Sequence, residues 1–377
     1  MDFTNAVSLA ESAVRDGVTP CLAYAVGRGD EVWLKGDTGF RQLYPERLPV
    51  TEHTLFDMAS LSKIIVTTML ALRAVDRGML ALFDPISRYL PNCHDKGEIT
   101  IRDLLTHTSG INTHIKLWLI DGLDPADALD AILRSPPTYE RGKETVYSCM
   151  GYMVLGGILE RIYGAPLDEL AQKYVFGPLG MRTACYNPQT DDRAATDEYP
   201  GGVYNPPEGF PGHREPGDPI PAEPPREWGS NAESRREFAV VHDENARFLG
   251  GVSANAGVFC SLEDMLPFCA MLSKRGEGLL SPRIFEAAIR NYTPGMSDNR
   301  GLGFQLFEGG LSPAGDLYSP GSYGHTGFTG TSVYVDRDTG IYILMLSNRV
   351  HLGRERTAEY LRFRRAFQNA VWGGIKL

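Results

Sequence analysis

The segment from Ser60 to Arg77 constrains this chain more than any other. Ile64, Ile65, Met69, Leu72 and Val75 recur at helical spacing until Gly78 stops the pattern. The spacing predicts a buried helix with Ser60 at its very start and Lys63 one turn on, among neighbours that are almost wholly apolar. A chain with such a helix needs a large core to surround it, and 377 residues supply one. That length fits two domains, or one domain with a substantial insertion.

Before this helix, an amphipathic N-terminal helix is followed by CLAYAVG and EVWLKG, two short apolar runs around Arg28-Gly29-Asp30 that read as a β-hairpin entering a sheet. From about 84 to 190 the patterns IRDLLTH, PADALDAILRS and MVLGGILERIYG alternate with turn signals, which reads as a mostly helical region. Near the end, TGTSVYVDRDTGIYILMLSN holds two β-rich runs joined at Asp338-Thr339-Gly340, and RERTAEYLRFRRAFQNAVWG reads as a closing helix. The expectation is an α+β fold: an antiparallel sheet flanked by helices and built from both chain ends, residues 1–83 and 230–377, with a mostly helical domain at 84–229 inserted between them. Nine of the twenty-five prolines fall between Tyr199 and Trp228, which excludes a continuous helix or a central strand there. A surface loop is one reading of that stretch, and a long loop over a substrate cleft is the other.

Several function classes are excluded early. A net charge of −10 with no basic cluster to offset it argues against nucleic acid as a partner. No apolar run is long enough for a membrane span. The opening residues, MDFTNAVSLAESAVRDG, carry acidic groups where a secretory leader needs a basic start and an apolar run, so the chain as given reads as cytoplasmic. The six cysteines, Cys21, Cys93, Cys149, Cys185, Cys260 and Cys269, never form a C-x-x-C pair and read as buried free thiols. His107 and His114 lie near a helix start without an H-E-x-x-H pattern, so no metal is expected.

The chemistry-bearing candidate is Ser60 with Lys63. Their spacing on a helix puts a hydroxyl and an amine on one face, within hydrogen-bonding reach. A serine becomes a useful nucleophile when a neighbour takes its proton, and a lysine can do so where desolvation lowers its pKa. The same four residues also suit a helix cap with a solvated lysine. Ser60 is the only serine in the chain placed three residues before a lysine.

Seven stretches carry a wider resemblance: FDMASLSK, LFDPISRYLP, ITIRDLLTHTSGI, YSCMGY, FGPLGM, LGGVSANAGVF and GHTGFTGT. In this order they resemble the serine β-lactamase family of class C, with the related penicillin-binding proteins, D-peptidases and esterases, nearly end to end. The resemblance implies a β-lactamase/transpeptidase-like fold with the active site in the cleft between sheet and helical region. It implies Ser60 as the acylated nucleophile, with Lys63 and Tyr147 moving protons. His325, Thr326 and Gly327 would form the strand motif facing the nucleophile: the histidine polarises the tyrosine or meets a substrate carboxylate, and the glycine lets substrate backbone approach. Ser60 and Phe328 would donate the two backbone N–H groups of an oxyanion hole. Among these relatives the histidine variant of the strand motif resembles the esterase and D-peptidase branches.

One departure stands out. Where the resemblance implies an asparagine two residues after the tyrosine, this chain has Cys149, a weak donor and weak acceptor. Acyl transfer to a small ester is therefore expected to survive better than cleavage of amides or β-lactams. The expected partner is a small-molecule substrate, with no organic cofactor, and nothing in the sequence sets an oligomeric state. The expected function is a serine hydrolase for a small ester, amide or D-amino-acid peptide; a true β-lactamase and a binding or sensor module with little turnover are the alternatives.

Overall fold

Seven of the eight residues in β1 (Cys21–Arg28) are buried. A strand with both faces covered belongs inside a sheet. The computed structural model, which describes residues 1–43, 47–113, 115–190, 192–194, 241–351 and 353–376, places it there. β1 pairs antiparallel with β2 (Glu31–Gln42) through the expected hairpin, and on its other edge with β10 (Ile341–Ser347) from the far end of the chain. β3 is Leu48–Pro49, β7 Gln305–Phe307, β8 Ser322–Thr326 and β9 Ser332–Val335; together they complete a seven-stranded sheet in the order β3-β2-β1-β10-β9-β8-β7. Every pairing in it is antiparallel, and its strands come from both chain ends.

The two faces of the sheet carry different loads. The N-terminal helix Thr4–Arg15 and the C-terminal helix Thr357–Gly374 pack on one face, over a core of Leu22, Tyr24, Val26, Tyr334, Ile343 and Phe367. Against the other face lies the larger core, which runs from Ala23 and Leu344 through Met69 and Leu72 into the helical middle at Leu104, Val154 and Leu159. The helix Cys149–Tyr163 is apolar on nearly all sides, as a helix in the middle of such a core must be. Ser148 caps its start by accepting from Gly151 N–H at 2.9 Å, and Gly164, at φ 72°, ends it.

Two features were not legible in the sequence. A second, three-stranded sheet joins β4 (Phe56–Asp57), β6 (Val258–Cys260) and β5 (Cys185–Tyr186) in the order β4-β6-β5, and it clamps the chain just before Ser60. The segment expected as one α-helix instead opens with a π-helical stretch over Lys63–Thr68 before continuing as α-helix over Met69–Asp76. Leu61 and Ser62 are already helical, so Ser60, in the turn immediately before them, stands at the start of the helix as expected. Of the cysteines expected to be buried, Cys149 and Cys185 are only half-buried, while the other four are buried; all six are free thiols. The proline-rich stretch and His114 lie outside the described residues. Among the described residues no helix is long and apolar enough to cross a membrane.

Candidate active site

The turn that carries Ser60 follows β4 and is held by several neighbours. Asp57, buried at its end, accepts the Ala59 N–H on one carboxylate oxygen (2.8 Å) and the His242 N–H on the other (2.7 Å). The first of these bonds supports Ala59 at φ 44°, a left-handed conformation that costs a non-glycine residue roughly 1 kcal/mol or more. Burial raises the Asp57 pKa, while the two N–H donors pull it down. From β8 and the turn after it, Thr329 Oγ1 donates to Asp57 O (2.7 Å) and Thr331 Oγ1 to Met58 O (3.1 Å). A Cβ on Gly327 would meet Thr331 Oγ1 at 2.1 Å and Met58 O at 2.6 Å. The glycine is thus required by packing between the two turns, a different reason from the substrate approach expected of it.

Lys63 is fully buried, and its ammonium uses all three donors: Ser60 Oγ at 3.0 Å, Asn255 O at 2.8 Å and Cys149 Sγ at 3.5 Å. The solvated-lysine reading is thereby excluded. Its nitrogen also sits 4.9 Å from the centroid of the Tyr147 ring. Burial lowers the Lys63 pKa, but the acidic groups Cys149 and Tyr147 raise it more, so the net direction is upward. Desolvation, the effect expected to free the amine for a proton, is opposed by these two neighbours. The Tyr147 pKa is raised by burial and held back by Lys63, with Cys149 adding to the rise and contact with Ser60 easing it.

Tyr147, 37% exposed, stands just before the cap of the helix that begins at Cys149. His107, itself at φ 59°, lies tilted beside it with ring centroids 4.6 Å apart, and its Nδ1 accepts the Ser148 N–H at 3.0 Å. An accepting Nδ1 puts the proton of the neutral ring on Nε2. His325, at the end of β8, lies on the other side of Tyr147 at 5.9 Å, and its Nδ1 donates to Thr326 O at 2.7 Å, which leaves Nε2 as an acceptor. Both histidine pKa values lie well below the ordinary range, first through burial and then through the positive charges of Arg300 and Lys63. His325 therefore faces Tyr147 as a neutral imidazole.

Phe328, 44% exposed, stacks on His242 (centroids 5.3 Å apart), with the guanidinium carbons of Arg349 and Arg354 each 4.8 Å from its ring. This holds the backbone of the turn beside Ser60. Among the described residues neither the Ser60 nor the Phe328 N–H has a protein acceptor, so both are free to receive an oxyanion. The sequence reading did not single out Asp57, Asn255 or Arg300, and it set His107 aside as structural. No local pattern marks the first three, because each acts across more than 180 residues of chain or through a contact that only folding creates.

The beta-lactamase family model matches residues 7–366. The chain belongs to the beta-lactamase family. An Escherichia coli K12 protein named "Putative D-alanyl-D-alanine carboxypeptidase" is 30% identical over 334 residues, spanning 82% of this chain and 72% of that protein. The structure of EstCE1, described as a hydrolase with promiscuous acyltransferase activity, superposes with a TM-score of 0.73 at 22% identity, covering 98% of this chain and 97% of that one. Simvastatin synthase from Aspergillus terreus gives 0.73 at 18% identity, over 99% of this chain and 98% of that one. These two structural likenesses concern the fold of the beta-lactamase family, which this chain shares.

Proposed function

We propose that this beta-lactamase family member is a serine hydrolase that works through an acyl-enzyme on Ser60, with a small ester as its preferred substrate and an amide or D-amino-acid peptide as the second choice. The observation that carries the reading is the buried Lys63 ammonium, 3.0 Å from Ser60 Oγ and shared with Tyr147 and Cys149. Ser60 Oγ attacks the carbonyl carbon while Tyr147, as phenolate beside the Lys63 ammonium, takes its proton. The carbonyl oxygen becomes an oxyanion held by the Ser60 and Phe328 N–H groups. Tyr147 then gives the proton to the departing alkoxide, the C–O bond breaks, and the alcohol leaves. Water attacks the acyl-enzyme by the same route in reverse, which frees the acid and restores Ser60.

Cys149 supports the preference for esters. It supplies Lys63 with a weak sulfur acceptor where an amide side chain would offer both a donor and an acceptor to an amide substrate. The test compares p-nitrophenyl acetate, p-nitrophenyl butyrate and a chromogenic cephalosporin, each with wild type and Ser60→Ala. Ester turnover is expected, with little cephalosporin hydrolysis, and the variant is expected to lose about a thousandfold or more in kcat. A wild type inert to all three, with no acyl adduct by mass spectrometry, would refute the reading and favour a binding module.

A further inference from the structure

Behind Tyr147 lies a buried cation that the proton route above does not use. Arg300 is 2% exposed, and the carbon of its guanidinium is 5.4 Å from the Tyr147 ring centroid. Among the described residues its one ion-pair partner is Asp298, bound through Nη2. Among the described residues, its buried Nε and Nη1 have no hydrogen-bond partner, and neither do Nε2 of His107 and Nε2 of His325, whose rings neighbour the same tyrosine. A buried guanidinium with two idle N–H groups is costly, and its commonest repair is a well-placed carboxylate. Here the nearest π-face is that of Tyr147 instead, and the loop is laced so that the residue stays: Arg300 N donates to Thr293 Oγ1 (2.8 Å) and Tyr292 N to Arg300 O (2.8 Å).

The groups that face Tyr147 can be set out element by element. Ser60 and Lys63 come from the nucleophile turn and helix, Cys149 from the helix that follows the tyrosine, and His107 from the loop after Ile101–Leu105. His325 comes from the end of β8, and Arg300 with Asp298 from the loop before β7. The imidazoles are neutral, and the charged side chains among these groups are Lys63, Arg300 and Asp298. Lys63 trades its influence with the proton it shares, whereas a guanidinium never deprotonates.

We propose that Arg300 is a positioning residue acting through Tyr147: its permanent positive charge against the ring favours the phenolate, and Asp298 trims that charge. The inference rests on the hydrolase reading. It makes Tyr147, rather than Lys63, the group whose readiness to accept the Ser60 proton is set by the surrounding protein.

The experiment measures kcat/KM for p-nitrophenyl acetate across pH in wild type, Arg300→Gln, Arg300→Lys and Asp298→Asn, with folding followed by circular dichroism. Losing the cation disfavours the phenolate, so Arg300→Gln should move the acid limb up by about one pH unit. Arg300→Lys should bring it most of the way back. Asp298→Asn should move it down, and since that side chain is 36% exposed, the variant decides the matter even where Arg300→Gln fails to fold. Difference absorbance of the tyrosinate band, wild type against Tyr147→Phe, should shift in step. A fall in rate with no movement of the limb, in Asp298→Asn and in whichever Arg300 variants fold, overturns the inference while leaving the hydrolase reading in place. A wild type without ester turnover overturns both.

Discussion

The two walls of the candidate site, one around Ser60 and one around Tyr147, are built on different rules. On the Ser60 wall, Asp57, Thr329, Thr331, Ser62 and Lys63 are bonded through their side chains to the turn or to its neighbours, and among the described residues Asn255 Nδ2 alone has no partner there. On the tyrosine's wall, His107, His325 and Arg300 each keep buried nitrogens without a partner among the described residues. The first wall spends its hydrogen bonds on holding a strained turn in one geometry. The second withholds them and keeps electrostatic potential where a proton must move. Such unspent polarity costs stability, and functional sites are where proteins retain it.

Removing Asp57 should test the rigid wall with the largest effect. Asp57→Ala leaves two buried N–H groups unpaired and Ala59 unsupported, which should cost about 2–4 kcal/mol in chemical denaturation. It should also lower kcat more than it raises KM, and Asp57→Asn should recover part of both. A variant as stable and active as wild type would erase the distinction between the walls.

The second wall should show itself in acid. His107 and His325 have folded pKa values below the unfolded value of about 6.5, so the unfolded chain takes up these protons first. Their neutral burial therefore adds nothing to the pH dependence above that value, and stability falls as pH drops below it. The expected slope is about 1.4 kcal/mol per pH unit for each histidine. Thermal melts of His107→Asn and His325→Asn between neutral and mildly acidic pH should each be flatter than wild type; parallel curves would show that the rings are not held neutral.

Cys149 joins the two walls, and its replacement should have the smallest effect. Cys149→Asn places a donor and an acceptor beside Lys63, and turnover of a chromogenic cephalosporin relative to p-nitrophenyl acetate should rise about tenfold. An unchanged ratio would remove the thiol from any role in ester preference.

Much of the fold was readable because its signals are local or periodic. The hairpin at Arg28-Gly29-Asp30, the strand pair around Asp338-Thr339-Gly340 and the terminal helix all form where the apolar pattern and the turn residues placed them. The small β4-β6-β5 sheet was not readable, because its strands have two or three residues each and owe their existence to pairing across the chain. The π-helical stretch after Ser62 has no sequence signature at all.

By itself, the sequence determined the family, the sheet drawn from both chain ends and the meeting of Ser60 with Lys63, since a three-residue spacing fixes that contact within one turn. Only the tertiary structure decided the charge states. Whether Lys63 is neutral or an ammonium depends on Asn255 O, Cys149 and Tyr147 arriving around it from three other segments. Whether His325 is charged depends on its burial beside Arg300. Proton affinity is set by everything within a few ångströms in a medium that screens poorly, and a linear sequence does not contain those distances.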